Sequence, residues 1–134
     1  MMYILQYLTS LANTYDANME LLKTTRKTNL NMPNYIVSEL ISMLNKRSIN
    51  IYKNLKITIY GYTYKEDISD IRNSRVLELY ELLVQKGFNA SICDYLVDKK
   101  VGNCEINKND IIDNDIIFLT TPHLLYKNWA ENVQ

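Results

Sequence analysis

One stretch carries most of the residue types that do chemistry: Gly61-Tyr62-Thr63-Tyr64-Lys65-Glu66-Asp67-Ile68-Ser69-Asp70-Ile71-Arg72-Asn73-Ser74. It follows a run with strand character, Leu55 to Tyr60, and leads straight into one with helix character, Val76 to Lys86. In open α/β sheets, ligands gather beyond the carboxyl ends of the strands. There a helix N-terminus offers unpaired N–H groups and a positive dipole end to an anion. The residue types suit a phosphate. Gly61 permits a sharp turn, Lys65 supplies a point charge for a diphosphate, the Tyr64 ring can pack on a base or sugar, and Asn73 or Ser74 caps the helix. Plainer readings stand beside these. A loop lysine is most often solvated, and Asp70 with Arg72 can be a local ion pair worth under about 1 kcal/mol if exposed.

Other reactive side chains are sparse. His123 is the only histidine and has no acidic or thiol partner implied by sequence, so a structural or solvent-facing role is expected. Cys93 and Cys104 do not form a metal-ligand pattern, and no metal site is expected. Cys93 falls inside a strand, where a small apolar thiol is the usual reading and a disulfide between the two is the alternative. Asp94 is expected to cap a loop rather than hold a ribose. The three-glycine dinucleotide fingerprint is absent, so a conventional NAD site is not supported.

The elements that position these residues fall into two segments. From Met1 to about Arg47, apolar residues recur at helical spacing: Ile4, Leu8 and Leu11, then Met19 and Leu22, then Ile36, Leu40 and Leu44 beside Val37 and Ile41. Two or three helices are implied, the second capped by Asp16. Pro33 sits in the first turn of the third or kinks a continuous helix. From Leu55 the period changes to strand, loop, helix, strand. Leu55 to Tyr60 and Ala90 to Cys93 flank a helix with the stripe Val76, Leu79, Tyr80 and Leu83, which is a βαβ unit and hence a parallel sheet. Ile116 to Leu119 reads as a third strand buried on both faces, and Leu124 to Val133 as a last helix. Asp98 to Asn109 reads as a loop and Asp110 to Asn114 as a short helical turn. The fold class is α/β: residues 1–50 a helical segment, residues 51–134 a Rossmann-like parallel sheet domain.

Bulk properties narrow the partners. At 134 residues the chain is the size of one ordinary domain, able to bury about two-thirds of its unfolded surface. Fifteen basic residues balance fifteen acidic ones with no long block of either sign, which disfavours nucleic acid and anionic membranes. Met1 to Leu22 contain no Lys or Arg, unlike a secretory signal, and no apolar run is long enough to span a bilayer. A soluble, cytoplasmic protein is expected.

The string Ile59 to Ser74 resembles the signature G-x-x-[FY]-K-x-x-x-x-D-x-R-x-S of the C-terminal, UDP-binding domain of the UDP-glucose/GDP-mannose dehydrogenase family, with Gly61, Tyr64, Lys65, Asp70, Arg72 and Ser74 on the family positions. Flanking segments agree with it. Cys93-Asp94-Tyr95 with Val97 is similar to a strand-end Y-D-P-x-V, with Tyr95 replacing the proline. Thr121, His123 and Tyr126 fit T-x-H-x-x-[FY], and Arg26 to Tyr35 resembles R-x-x-N-x-x-M-P-x-Y. The resemblance covers nearly the whole chain. It implies that Gly61, Tyr64, Lys65 and Ser74 bind a UDP-sugar, that Asp70 and Arg72 lie at the junction with the cofactor domain, and that the helix containing Arg26 to Leu44 makes homodimers.

Departures from the family bear on activity. Its enzymes place an NAD-binding domain first and then a G-G-x-C nucleophile, and neither motif is in this sequence, which also resembles the family pattern only up to a point before its final D-x-R strand. Oxidation needs a hydride acceptor and a thiol carrying a covalent intermediate. No cofactor is expected on this chain alone, NAD belonging to the complete enzymes. The leading expectation is a UDP-sugar-binding and dimerisation module, inactive alone. The alternatives are one chain of a split dehydrogenase, whose partner chain carries the NAD domain, and a degenerate structural or interaction protein.

Overall fold

The computed structural model describes residues 7, 10–11, 20–49, 54–97 and 113–131, with side chains up to 128 in the last segment. In chain order these form helix α1 (Glu20–Lys46), strand β1 (Lys56–Tyr60), helix α2 (Val76–Gln85), strand β2 (Asn89–Cys93), strand β3 (Ile116–Leu119) and helix α3 (Leu124–Glu131). Residues 98–112, with Cys104, lie outside this description, as do Ile4, Leu8, Asp16 and Met19.

The strands form a parallel sheet in the order β2-β1-β3. Each begins within one residue of the position that the hydrophobic pattern gives. β1 is central, and its alternate residues feed two cores. Ile57 and Ile59 join Val76, Leu79 and Leu83 of α2, while Tyr60 joins Cys93 and Tyr126 of α3. Thr58, the one polar residue among Ile57–Tyr60, donates its hydroxyl to Asn114 Oδ1 at 2.7 Å and lies 3.1 Å from Ser91 Oγ.

β3 corrects one expectation. Ile116 to Phe118 are half-buried and Leu119 is exposed, so the strand is not covered on both faces. It pairs only with β1 among the described residues, and an apolar run records side-chain character rather than the number of covering layers.

In the N-terminal segment the structure decides between the two readings of Pro33. α1 is one helix of 27 residues with Pro33 inside it, the continuous alternative rather than separate second and third helices. Its lower stripe is used within the chain: Val37 and Leu44 are buried, and Ile36, Leu40 and Ile41 partly so, in the same cluster as Val76, Leu79 and Leu83. Full burial of one such side chain is worth about 1.5–3 kcal/mol. The stripe of Ile36, Leu40 and Leu44 is therefore packed within the chain against α2.

Cys93 is buried and disulfide-bonded, which corrects the reading of an apolar thiol. No described cysteine is free. Burial at a strand end suits either state of the sulfur, so hydropathy does not separate them. No described helix is long and apolar enough to cross a membrane.

Candidate functional site

The strand order places a topological switch point between β1 and β3. From β1 the chain crosses to β2 on one side, then returns to β3 on the other, and ligands in open α/β sheets settle at such a reversal, beyond the strand ends. A cleft of about 510 Å3 lies there, bounded by Pro33 and Ile36 of α1, Tyr64 after β1, Ser74 and Arg75 before α2, and Phe118 to Thr121 at the end of β3. One wall is apolar and the other carries hydroxyls.

Gly61 makes the junction possible. Its φ is +95°, and a Cβ there would meet Thr121 N and O at 2.5 Å. Only a residue without a side chain lets the two strand ends approach so closely. Thr120 N–H donates to Tyr60 O at 2.9 Å, and the Thr120 hydroxyl also reaches Tyr60 O and Gly61 O.

Beyond Gly61 the chain is held from behind by a buried carboxylate and a buried imidazole. Asp94, at the end of β2, is wholly buried and accepts from Tyr62 N at 2.6 Å, Thr63 N at 3.1 Å and Leu96 N at 2.9 Å. Burial pushes this carboxyl up, but the hydrogen bonds from Leu96, His123, Tyr62 and Thr63 outweigh that, and its pKa lies below the ordinary value. His123, also wholly buried, accepts Asp67 N–H on Nδ1 at 2.9 Å. Its proton is therefore on Nε2, which lies 3.0 Å from Asp94 Oδ2 and 3.1 Å from Thr63 Oγ1. The Thr63 hydroxyl donates onward to Lys65 O at 3.1 Å.

Aromatic rings seal this network. Tyr126, Tyr95 and His123 meet edge to face with centroids 5.2–5.4 Å apart. The Tyr126 hydroxyl accepts Tyr95 N–H at 3.2 Å, and burial raises its pKa far above the ordinary phenol range. Tyr95 is shifted up less, by burial and by Asp67.

Of the residues singled out by sequence, Tyr64, Asn73 and Ser74 line the cleft. Gly61 is not part of the lining and instead sets the close approach to Thr121. Lys65 is exposed next to Tyr64 and makes no ion pair among the described residues, but it is not part of the lining. Ser74 Oγ accepts Val76 N–H at 3.2 Å, although the helix boundary residue is Arg75, which pairs with Glu78. Asn73, with φ +63°, turns the chain instead of capping. Asp70 and Arg72 are paired with each other: Nε and Nη2 each lie 2.9 Å from the carboxylate, and the guanidinium is 84% exposed.

Sequence reasoning missed the Asp94–His123 network and the wall supplied by α1. The motif T-x-H-x-x-Y holds both His123 and Tyr126, but no spacing rule pairs them with Asp94. The arrangement does not fit a dinucleotide, because Gly61 opens a long loop and α2 does not start until Val76, so no glycine turn sets a helix end against a pyrophosphate.

An open parallel sheet with a cleft at its switch point defines a Rossmann-like α/β domain. Residues 58–134 match the UDP-glucose/GDP-mannose dehydrogenase family, UDP binding domain, and the chain belongs to that family. It is 30% identical to Protein CapL of Staphylococcus aureus over 94% of this chain and 30% of that protein. It is 33% identical to the UDP-N-acetyl-D-mannosamine dehydrogenase of Methanococcus aeolicus over 85% of this chain and 25% of that protein. The structure of UDP-D-ManNAc dehydrogenase from Pyrococcus horikoshii superposes with a TM-score of 0.71 at 24% identity, covering 90% of this chain and 28% of that one, which supports the fold. The chain thus spans 25–30% of the length of these two curated relatives.

Proposed function

We propose that this chain is a nucleotide-sugar-binding and dimerisation module whose ligand is a UDP-sugar. The observation that carries the reading is the cleft at the β1/β3 switch point, with Tyr64 and Ser74 in its walls. Tyr64 stacks on the base or a sugar ring, Lys65 swings toward the diphosphate, and the hydroxyl of Ser74 at the start of α2 meets the same anion. Arg72, oriented by Asp70 and turned to solvent, offers a contact to a cofactor-bearing domain. The names of the relatives favour a UDP-linked N-acetylhexosamine among the sugars. The 134 residues hold neither a dinucleotide fingerprint nor a G-G-x-C thiol, so their part in such an oxidation is binding and orientation.

The dimer in this proposal forms through the outer face of α1. Tyr35 is exposed there and, with Lys27, Thr28 and Asn31, borders a hollow of about 660 Å3.

Amide NMR of the chain titrated with UDP-glucose tests the binding. Shifts concentrated between Gly61 and Ser74 are expected, with Lys65→Ala removing most of the affinity. Unperturbed amides in millimolar UDP-glucose would sink the proposal.

A further inference from the structure

The Tyr64–Lys65 loop has no regular structure of its own, yet it is tied down along its rear. Asp67 N–H donates to His123 Nδ1, Asp67 Oδ1 accepts Leu124 N–H at 3.2 Å, Ser69 Oγ donates to Leu96 O at 2.7 Å, and Lys127 pairs with Glu66 at 2.7 Å. Tyr64 N–H closes the loop on Asp70 O at 2.7 Å. Among these rear anchors, only the imidazole is wholly buried. It also touches the loop twice, at Asp67 and at Thr63, whose hydroxyl reaches Lys65 O.

We infer that His123 is a positioning residue: its neutral imidazole, with Nε2–H held by Asp94 and Nδ1 held by Asp67 N–H, fixes the loop that presents Tyr64 and Lys65 at the cleft. The inference rests on the proposed binding site. His123 itself is not in the cleft wall and is shielded from solvent, so it does not touch a ligand. Asp67 has φ +54°, a conformation disfavoured for a residue with a side chain, and the imidazole acceptor holds it there. Ordering a loop residue costs backbone entropy. A ligand meeting a loop already fixed does not bear that cost, which is how a buried residue raises affinity without contact. Protonation would put an N–H on Nδ1 facing another N–H, so the neutral tautomer is the one that serves. The ionisable groups facing the ring are Asp94 from β2, Asp67 from the loop, and Tyr95 and Tyr126 from the other side.

Two substitutions separate the two ends of the ring. Asn places its amide oxygen near the position of Nδ1 and keeps an acceptor for Asp67, whereas Gln places its amide near Nε2 and keeps the bond to Asp94 only. The expected result is that His123→Gln speeds hydrogen exchange at the Asp67 and Tyr64 amides, and raises the Kd for UDP-glucose, by about tenfold, while His123→Asn stays within about twofold on both. A merely structural histidine would lower melting temperature and affinity in parallel in both variants. That outcome, or unchanged Asp67 exchange in His123→Gln, overturns the inference. Imidazole nitrogen NMR on the unaltered chain gives a check independent of folding in the variants: an Nε2–H tautomer is expected, and Nδ1–H is fatal to it. If the unaltered chain fails to bind UDP-glucose, the proposed function falls, whereas the exchange and tautomer measurements still decide whether His123 holds the loop.

Discussion

Asp94 Oδ2 lies 3.0 Å from His123 Nε2, and both side chains are wholly buried between the end of β2 and the start of α3. The carboxylate thus joins three elements, because its remaining acceptor positions serve Tyr62, Thr63 and Leu96. An amide in its place presents N–H groups to N–H groups on one side whichever way it is turned. Asp94→Asn is therefore expected to lower stability by about 2–4 kcal/mol, read as a shift in the urea midpoint with an unchanged slope. The sign with pH follows from the depressed pKa: the stabilisation is complete above the unfolded aspartate value of about 3.9 and is lost as pH falls below it toward the folded value.

Gly61 faces two penalties when replaced. Alanine at φ +95° is strained, and its Cβ would stand 2.5 Å from backbone atoms of Thr121, which cannot swing aside as a side chain would. Gly61→Ala is expected to cost about 2–4 kcal/mol in thermal or urea unfolding.

The exposed pair Asp70 and Arg72 has a titration signature. The Arg72 guanidinium, with the backbone N–H of the same residue, holds the Asp70 carboxyl at about 2 instead of 3.8 by hydrogen bonds. The pairing is thus present above the unfolded value and disappears as pH falls through about 2. Carboxyl carbon NMR should follow it, and Arg72→Gln should return Asp70 toward 3.8. Because the pair is exposed, global stability should stay nearly constant in that variant.

The strands and α2 were legible because each is a short segment with a clean apolar period: Val76, Leu79 and Leu83 point one way in the sequence and in the fold. Tyr64 and Ser74 were legible because they flank a strand-to-helix junction. Asp94 and His123 were not, since their pairing depends on how far β3 returns past β1, a tertiary fact without a local pattern. Pro33 was ambiguous for a similar reason. Its ring removes one helical hydrogen bond, but its burial beside Ile36 at the cleft supports an unbroken α1 that a sequence period cannot see.

Two residues of α1 separated by one position answer the assembly question. Val37 is 3% exposed in the core shared with α2, whereas Tyr35 is 58% exposed. An aspartate at each site acts on different equilibria. Val37→Asp buries an unpaired charge within the chain and should unfold it, as far-ultraviolet circular dichroism would show. Tyr35→Asp changes only the outer face, so secondary structure should survive, while a charge in the proposed interface disfavours pairing. Light scattering should then give about twice the 15.7 kDa chain mass for the unaltered protein and about the chain mass itself for Tyr35→Asp. A monomeric unaltered protein at tens of micromolar would remove the dimer from the proposed function, whereas the binding reading rests on the cleft, which Met32, Pro33 and Ile36 border on α1.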